Sequence, residues 1–419
     1  MVRKLWFYNP PDNKTEATVE FMAHHTDVVC MTMGEEREKY LRDMRAAGFQ
    51  GEIWLYWLQN SVHMADQPNR NNVGYRAGTY TDLKTRVPDV FQKKPNGDIV
   101  RKDDKQDYVV CDVAHPEWQK LFRERTAETV NRSPGLWTGV WDDDLNVIFF
   151  VNGVGPTKTL KYGDPDSPAY FEAFKGWLQY ERDQVAAPLG LRFGGNLQGD
   201  NLTRWDEAAK IMSNSNPNGA GVVMNEFQFL SYNGGYLSVD EWKKDLAKVE
   251  IATHYGAEVW NVAPIQAKVA HEQPDGEEAQ KITFFLASHL LAADERAAVR
   301  IGRDYGLAYY FPILDEVDQL GQPLGAYTQT IINGIDEYTR KFEGGYVTVR
   351  PAEKFAQIEY VPVSAPTEPE PPSDPEVPGT PGTPIDMVTL DVRLTVPESR
   401  IVEMLNLMLE TTGIKIEPL

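Results

Sequence analysis

The sequence predicts an α/β fold, a (β/α)8 TIM barrel, and three observations carry that expectation. Between residue 4 and about residue 304, eight apolar strand-like runs alternate with helical patterns. Such alternation implies parallel pairing through right-handed crossovers. Two of the runs deliver carboxylates at their C-terminal ends, where a closed parallel barrel keeps its chemistry: Asp142 to Asp144 after the fourth and Glu226 after the sixth. No Gly-x-Gly-x-x-Gly follows the first run, which weakens the rival, an open doubly wound sheet.

Taken in order, Leu5 to Tyr8 is the first strand and Thr15 to His25 an amphipathic run. Val28 to Met31 is the second strand, followed by a helix from Glu35 to Ala47 that Gly48 closes. Ile53 to Trp57 is the third. A polar, Gly/Pro-punctuated excursion from Asn60 to Gln106 then precedes the apolar run Tyr108 to Cys111, and a loop of that length marks a lid or binding segment. Pro116 opens a helix at its favoured first position and carries it to about Thr129. The lead-in Leu136 to Trp141 is the fourth strand, Leu191 to Phe193 the fifth and Val222 to Met224 the sixth. Helices over Tyr170 to Val185 and Asp206 to Met212 separate them. A helix over Asp240 to His254 precedes the seventh strand, Glu258 to Val262, and one over Glu277 to Ala292 precedes the eighth, Ala298 to Ile301. The stretch from Tyr338 to about Val363 then forms a small C-terminal β appendage. Residues 364–385 are a Pro-rich linker, and 386–419 a short α+β tail module.

Composition narrows the function. The chain has 419 residues, a hydrophobic content of 42%, and 42 basic against 62 acidic residues, for a net charge of −20. A nucleic acid or an anionic membrane as the main partner would need clustered Lys and Arg, so neither is expected. No run of 18 apolar residues spans a membrane. The N-terminus passes directly into a strand without a signal-peptide pattern, so synthesis in the cytoplasm without a secretion signal is expected. Cys30 and Cys111 sit in apolar runs and are expected to be buried free thiols. The seven histidines form no His-x-His or His-Glu-x-x-His, so no metal is expected, and no phosphate-cradling loop points to a cofactor.

Asp142, Asp143 and Asp144 repel one another, which places them where the strand leaves the core for water or ligand. If Trp141 points into the barrel, so does Asp143, while Asp142 and Asp144 turn away.

Several segments resemble a known family. Cys111-Asp112-Val113-Ala114-His115-Pro116-Glu117-Trp118 is similar to the Asp-x-x-x-Pro-x-aromatic helix opening of hypothetical glycoside hydrolase-like barrels, related to endo-α-1,4-polygalactosaminidase and melibiase-type barrels. Gly139 to Asp144 is similar to their Gly-Val-Phe-Leu-Asp-Asp/Asn strand. Leu320 to Gly325 also matches, and Arg340 to Val349 is similar to their Arg-x-Phe-x-x-Gly-x-Val-x-Val segment. The chain departs from that pattern at Asp142, usually apolar in the family, and at Arg350, where Asn is common. The resemblance covers roughly residues 4 to 352.

It implies a glycoside hydrolase in which two carboxyl groups flank the scissile bond, one ionised and one protonated. The family's characteristic Asp aligns with Asp143. Asp143 is therefore the expected nucleophile or base, Glu226 the general acid, and Asp144 a reserve that contacts ligand or tunes Asp143. Sugars need flat apolar faces with polar edges. Trp6, Tyr8, Trp57, Trp141 and Trp260 stand near strand ends as candidate platforms, with Asn9, Gln59, Asn196, Asn225 and Asn261 as hydroxyl partners and Arg300 as a partner for an aspartate. The alternative function is a non-catalytic carbohydrate-binding barrel, such as a bacteriophage tail or virion component that binds a host surface glycan. The tail, from Met387 to Leu419, is too small to bury its apolar residues alone, so it is expected to form homo-oligomers or dock onto a partner.

Overall fold

The computed structural model of the chain describes residues 2–8, 16–58, 60–64, 80–101, 108–151, 154–213, 218–265, 276–302 and 311–361. Eight parallel strands close a barrel: β1 (Arg3–Tyr8), β2 (Val28–Thr32), β3 (Glu52–Leu58), β4 (Gly139–Asn146), β5 (Arg192–Gln198), β6 (Val222–Met224), β7 (Glu258–Ala263) and β8 (Ala298–Ile301). They are joined in sequence order, and β8 pairs with β1 through Arg3 opposite Ala298. The helices between them are α1 (Glu16–His25), α2 (Glu35–Ala46), α3 (Pro116–Arg132), α4 (Pro168–Tyr180), α5 (Leu202–Ser213), α6 (Val239–His254) and α7 (Gly276–Leu290). Local sequence sets several of their starts. Pro116 and Pro168 sit at first-turn positions behind capping side chains, with His115 accepting from Glu117 N and Ser167 from Tyr170 N. Ser238 and Glu241 form a reciprocal capping box at α6.

The β4 boundary differs from the sequence expectation. The strand starts at Gly139 instead of Leu136 and runs through all three aspartates to Asn146. Its pairing with β5 shifts register between Asp142 and Leu145, a bulge that re-aims the chain where the charges lie. Asp142 and Asp144 are accordingly buried rather than presented to solvent at a strand exit.

Side chains fill the barrel interior in layers drawn from alternate strands. The lowest layer is ionic: Arg3, Glu52, Arg192 and Glu258, from β1, β3, β5 and β7, form a ring in which each arginine bridges both glutamates. Above it an apolar cluster includes Leu5, Phe7, Val28, Cys30, Trp54, Tyr56, Trp141, Met224 and Trp260. Two glycines make room for it. A Cβ on Gly139 would lie 2.4 Å from the Trp54 ring, and one on Gly194 would lie 2.5 Å from Val222 Cβ. The larger core lies between the barrel and its helices, where Trp57 meets Phe122 and Phe122 meets Trp177 edge-on. Cys30 and Cys111 are free and buried, as expected.

In the long excursion, Ser61–His63 pairs antiparallel with Tyr108–Val110. After the barrel, β9 (Thr328–Ile332), β10 (Ile335–Phe342), β11 (Gly345–Arg350) and β12 (Phe355–Tyr360) make an antiparallel sheet. A two-residue Asn333-Gly334 turn, with φ of 53° and 81°, joins the first pair. Buried Arg340, from the segment that resembles the family pattern, donates to the carbonyls of Leu290, the last residue of α7, and Ala293 just beyond it. That contact fastens the appendage to the barrel. The chain divides into the units Met1–Val363 and Ser364–Leu419. The linker and tail module lie outside the described residues. No described helix is long and apolar enough to cross a membrane.

Candidate active site

Asp143, Asn196 and Glu226 come from β4, β5 and the residues just beyond β6, three neighbours at the C-terminal end of the barrel. Alternation brings Asp143 inward two residues after Trp141, as the sequence predicts. The Asn196 amide nitrogen donates to Asp143 Oδ1 at 3.0 Å and to Glu226 Oε2 at 3.1 Å, while its oxygen accepts from Glu226 N at 3.1 Å. Two oxygens bonded to one nitrogen at those distances are no more than about 6 Å apart. Fully buried Asn196 thus holds the two carboxyl groups close together.

Asp143 collects further donors. Tyr56 Oη donates to Oδ2 at 2.5 Å, and the backbone N–H of Asp144 donates to Oδ1 at 2.9 Å. The Tyr56 ring stacks on Trp141, with centroids 5.2 Å apart, which fixes the hydroxyl over the aspartate. Donors converging from three groups suit an ionised carboxylate. The field of Asp143 reaches down the barrel as well. Burial, then the charges of Asp143 and Asp142, push the Cys30 thiol well above its ordinary range, so it stays a neutral, inert filler. Asp144 adopts a left-handed backbone, φ 58°, and its side chain is buried.

Glu226 begins a turn with two more left-handed non-glycine residues, Phe227 at φ 63° and Phe229 at φ 65°. Such conformations cost about 1–2 kcal/mol each and persist where the surroundings over-determine them. Here the surroundings are visible. Asn261 Nδ2 donates to Gln228 Oε1 at 2.9 Å, and Asp245 on α6 accepts from Phe229 N at 2.9 Å and Asn225 Nδ2 at 3.2 Å. Burial raises the Asp245 carboxyl, and the Lys248 ammonium 3.3 Å away opposes that rise. A cleft of about 1050 Å³ opens beside Glu226, with Gln198, Asp200, Phe227, Tyr232, Lys244 and Lys248 among its lining. Asp143 is not in that lining, so the cleft lies to the Glu226 side of the pair.

The structure separates the candidate ligand contacts. Trp6, Trp57, Trp141 and Trp260 are each at most 2% exposed. Trp141 and Trp260 pack inside the barrel, and Trp6 and Trp57 in the core outside it, so none offers a face to a sugar. Asn225 and Asn261 brace the turn after β6, as described above. Arg300 donates to the Gly302 carbonyl, and its guanidinium lies 4.2 Å over the Trp6 ring. Asn9, Gln59 and the side chain of Tyr8 lie outside the described residues. Sequence reasoning overlooked Tyr56, although alternation from Trp54 puts it on the inner face that Trp57 leaves. It also overlooked Phe227 and Tyr232, which carry no strand signal. Among the described residues no group of His, Cys, Asp and Glu side chains could hold a metal ion.

The profile of the hypothetical glycosyl hydrolase family 15 matches residues 52–346, well over half of the chain and the whole stretch that supplies Tyr56, Asp143, Asn196 and Glu226. The chain belongs to that family. No curated protein matches it. Solved structures similar to it include the GH36 α-galactosidase AgaA of Geobacillus stearothermophilus, at 10% identity and TM-score 0.43, over 83% of this chain and 46% of that one. An α-galactosidase from Lactobacillus brevis gives 11% identity and TM-score 0.44, over 83% and 45%. The sucrose 6F-phosphate phosphorylase of Thermoanaerobacter thermosaccharolyticum gives 10% and 0.42, over 86% and 95%. The chain spans just under half the length of the two galactosidases. The family thus agrees with the resemblance drawn from Gly139 to Asp144 and its companion segments.

Proposed function

We propose that the chain is a glycoside hydrolase that cuts a polysaccharide or surface glycan, with Asp143 as nucleophile and Glu226 as general acid and base. The observation that carries this reading is the shared amide of Asn196, which keeps the nearest carboxyl oxygens within about 6 Å. Retaining glycosidases hold their two carboxyl groups about 5–5.5 Å apart, whereas inverting ones need about 6.5–9.5 Å to admit a water. The short spacing therefore favours retention. In the first step Glu226 gives its proton to the glycosidic oxygen, the bond from that oxygen to the anomeric carbon breaks, and an Asp143 oxygen bonds to the carbon. In the second, Glu226 takes a proton from water, the water oxygen bonds to the carbon, and the ester to Asp143 breaks. Tyr56 and the Asp144 N–H hold Asp143 during both steps. Asp144 contributes through its backbone.

Reducing-end release from a panel of cell-wall and capsular polysaccharides tests the reading. Asp143→Asn and Glu226→Gln are each expected to lower turnover by about 10²–10⁴-fold or more while leaving the unfolding temperature nearly unchanged. Proton NMR of the fresh product is expected to show the anomer of the substrate. Binding without release in the unmodified chain would leave the non-catalytic carbohydrate-binding barrel in its place.

A further inference from the structure

The cleft beside Glu226 has a platform at its rim. Tyr232 is 60% exposed, the most exposed aromatic ring among the described residues, and Phe227 meets it edge-on with centroids 5.2 Å apart and an interplanar angle of 78°. Phe227 stands there on a left-handed backbone that Asn261, Gln228 and Asp245 hold in place. Phe227 also packs against the apolar cluster inside the barrel, so the strained turn sets an aromatic pair between that interior and the cleft beside Glu226. Gln198 at the end of β5, Asp200 just past it, and Lys244 and Lys248 on α6 also line the cleft and bring donors and acceptors of both signs. Mixed signs suit hydroxyl groups, which donate and accept, better than a uniformly charged chain. The volume, about 1050 Å³, lies at the upper end of the range of about 300–1,000 Å³ usual for a small-molecule site.

We propose that this cleft seats the leaving-group end of a neutral oligosaccharide, with Tyr232 and Phe227 as its stacking platform. This rests on the hydrolase reading above. The cleft lies on the Glu226 side of the carboxyl pair, and the group that departs is the one whose oxygen the general acid protonates. A sugar ring presents an apolar face to an aromatic ring and its hydroxyls to polar side chains.

The test compares two substrates that share a glycosyl unit and differ in leaving group. One is the oligosaccharide released in the reducing-end assay, the other the glycosyl fluoride of its terminal sugar. Tyr232→Ala in the full chain is expected to lower kcat/KM for the oligosaccharide about tenfold and to leave the fluoride within about twofold, with Tyr232→Phe restoring the oligosaccharide rate. Equal losses on both substrates, or no loss on either, overturn the proposal. If the unmodified chain cuts nothing, the hydrolase reading fails first, and an array of neutral glycans decides the platform separately. Glycan spots bound by the unmodified chain and lost in Tyr232→Ala support it; unchanged binding, or none at all, overturns it.

Discussion

Asn196→Ala removes a group that touches both carboxylates, and its effect can be worked from the geometry. The substitution deletes hydrogen bonds to Asp143 Oδ1 and Glu226 Oε2 and leaves Glu226 N without the amide oxygen. A hydrogen bond to a charged group contributes roughly 1.5–3 kcal/mol, so losing the bridging amide removes about 2–3 kcal/mol of positioning. The loss of kcat/KM should therefore be about 10²-fold. The assay is kcat/KM on the oligosaccharide, with the unfolding temperature as a check on folding. A variant that keeps its rate within about threefold would refute the claim that Asn196 sets the spacing.

Other outcomes follow from the rest of the molecule. His289 is fully buried, and burial pushes its imidazole down to about 4 from 6.5. The unfolded chain then takes up a proton between about pH 6.5 and 4 that the folded chain refuses. Stability is full above that window and falls by about 3 kcal/mol as pH drops through it. Urea unfolding at pH 7 and pH 4 checks this, and His289→Leu is expected to remove about that much of the difference. Gly194→Ala would put a Cβ 2.5 Å from Val222 Cβ and 2.8 Å from the Val222 carbonyl oxygen, where backbone cannot yield cheaply. A loss of about 1–3 kcal/mol in thermal or urea unfolding is expected. For the tail we propose self-association through residues 386–419. Light scattering on the full chain and on one ended at Val363 is expected to give an oligomer and a monomer, and equal masses would rule out self-association.

Much of the fold was legible because barrel strands are buried on both faces and announce themselves as apolar runs. Val28 to Met31, Val222 to Met224 and Ala298 to Ile301 fall within one residue of the observed strands. The bounds of β4 were not legible, since Asp142, Asp143 and Asp144 look like a strand's end, whereas a bulge and buried partners carry the strand past them. Period-two alternation was enough to point Asp143 inward from Trp141. Applied to Trp54, it would equally have chosen Tyr56 over Trp57. The choice of ligand contacts failed for another reason. Residue type makes Trp6, Trp57, Trp141 and Trp260 plausible sugar platforms, but exposure belongs to the layers around a side chain, and these layers close over all four. Likewise Asn225, Asn261 and Asn196 are alike in sequence, each near a strand end. Only the closure of the barrel, which sets β5 between β4 and β6, makes Asn196 the bridge between Asp143 and Glu226 and leaves the other two bracing a strained turn. Sequence alone determined the eight strands and their parallel order, because periodicity and burial are local signals. The distance between Asp143 and Glu226, the amide that spans them and the cleft beside them depend on residues thirty or more apart meeting, which tertiary packing decides.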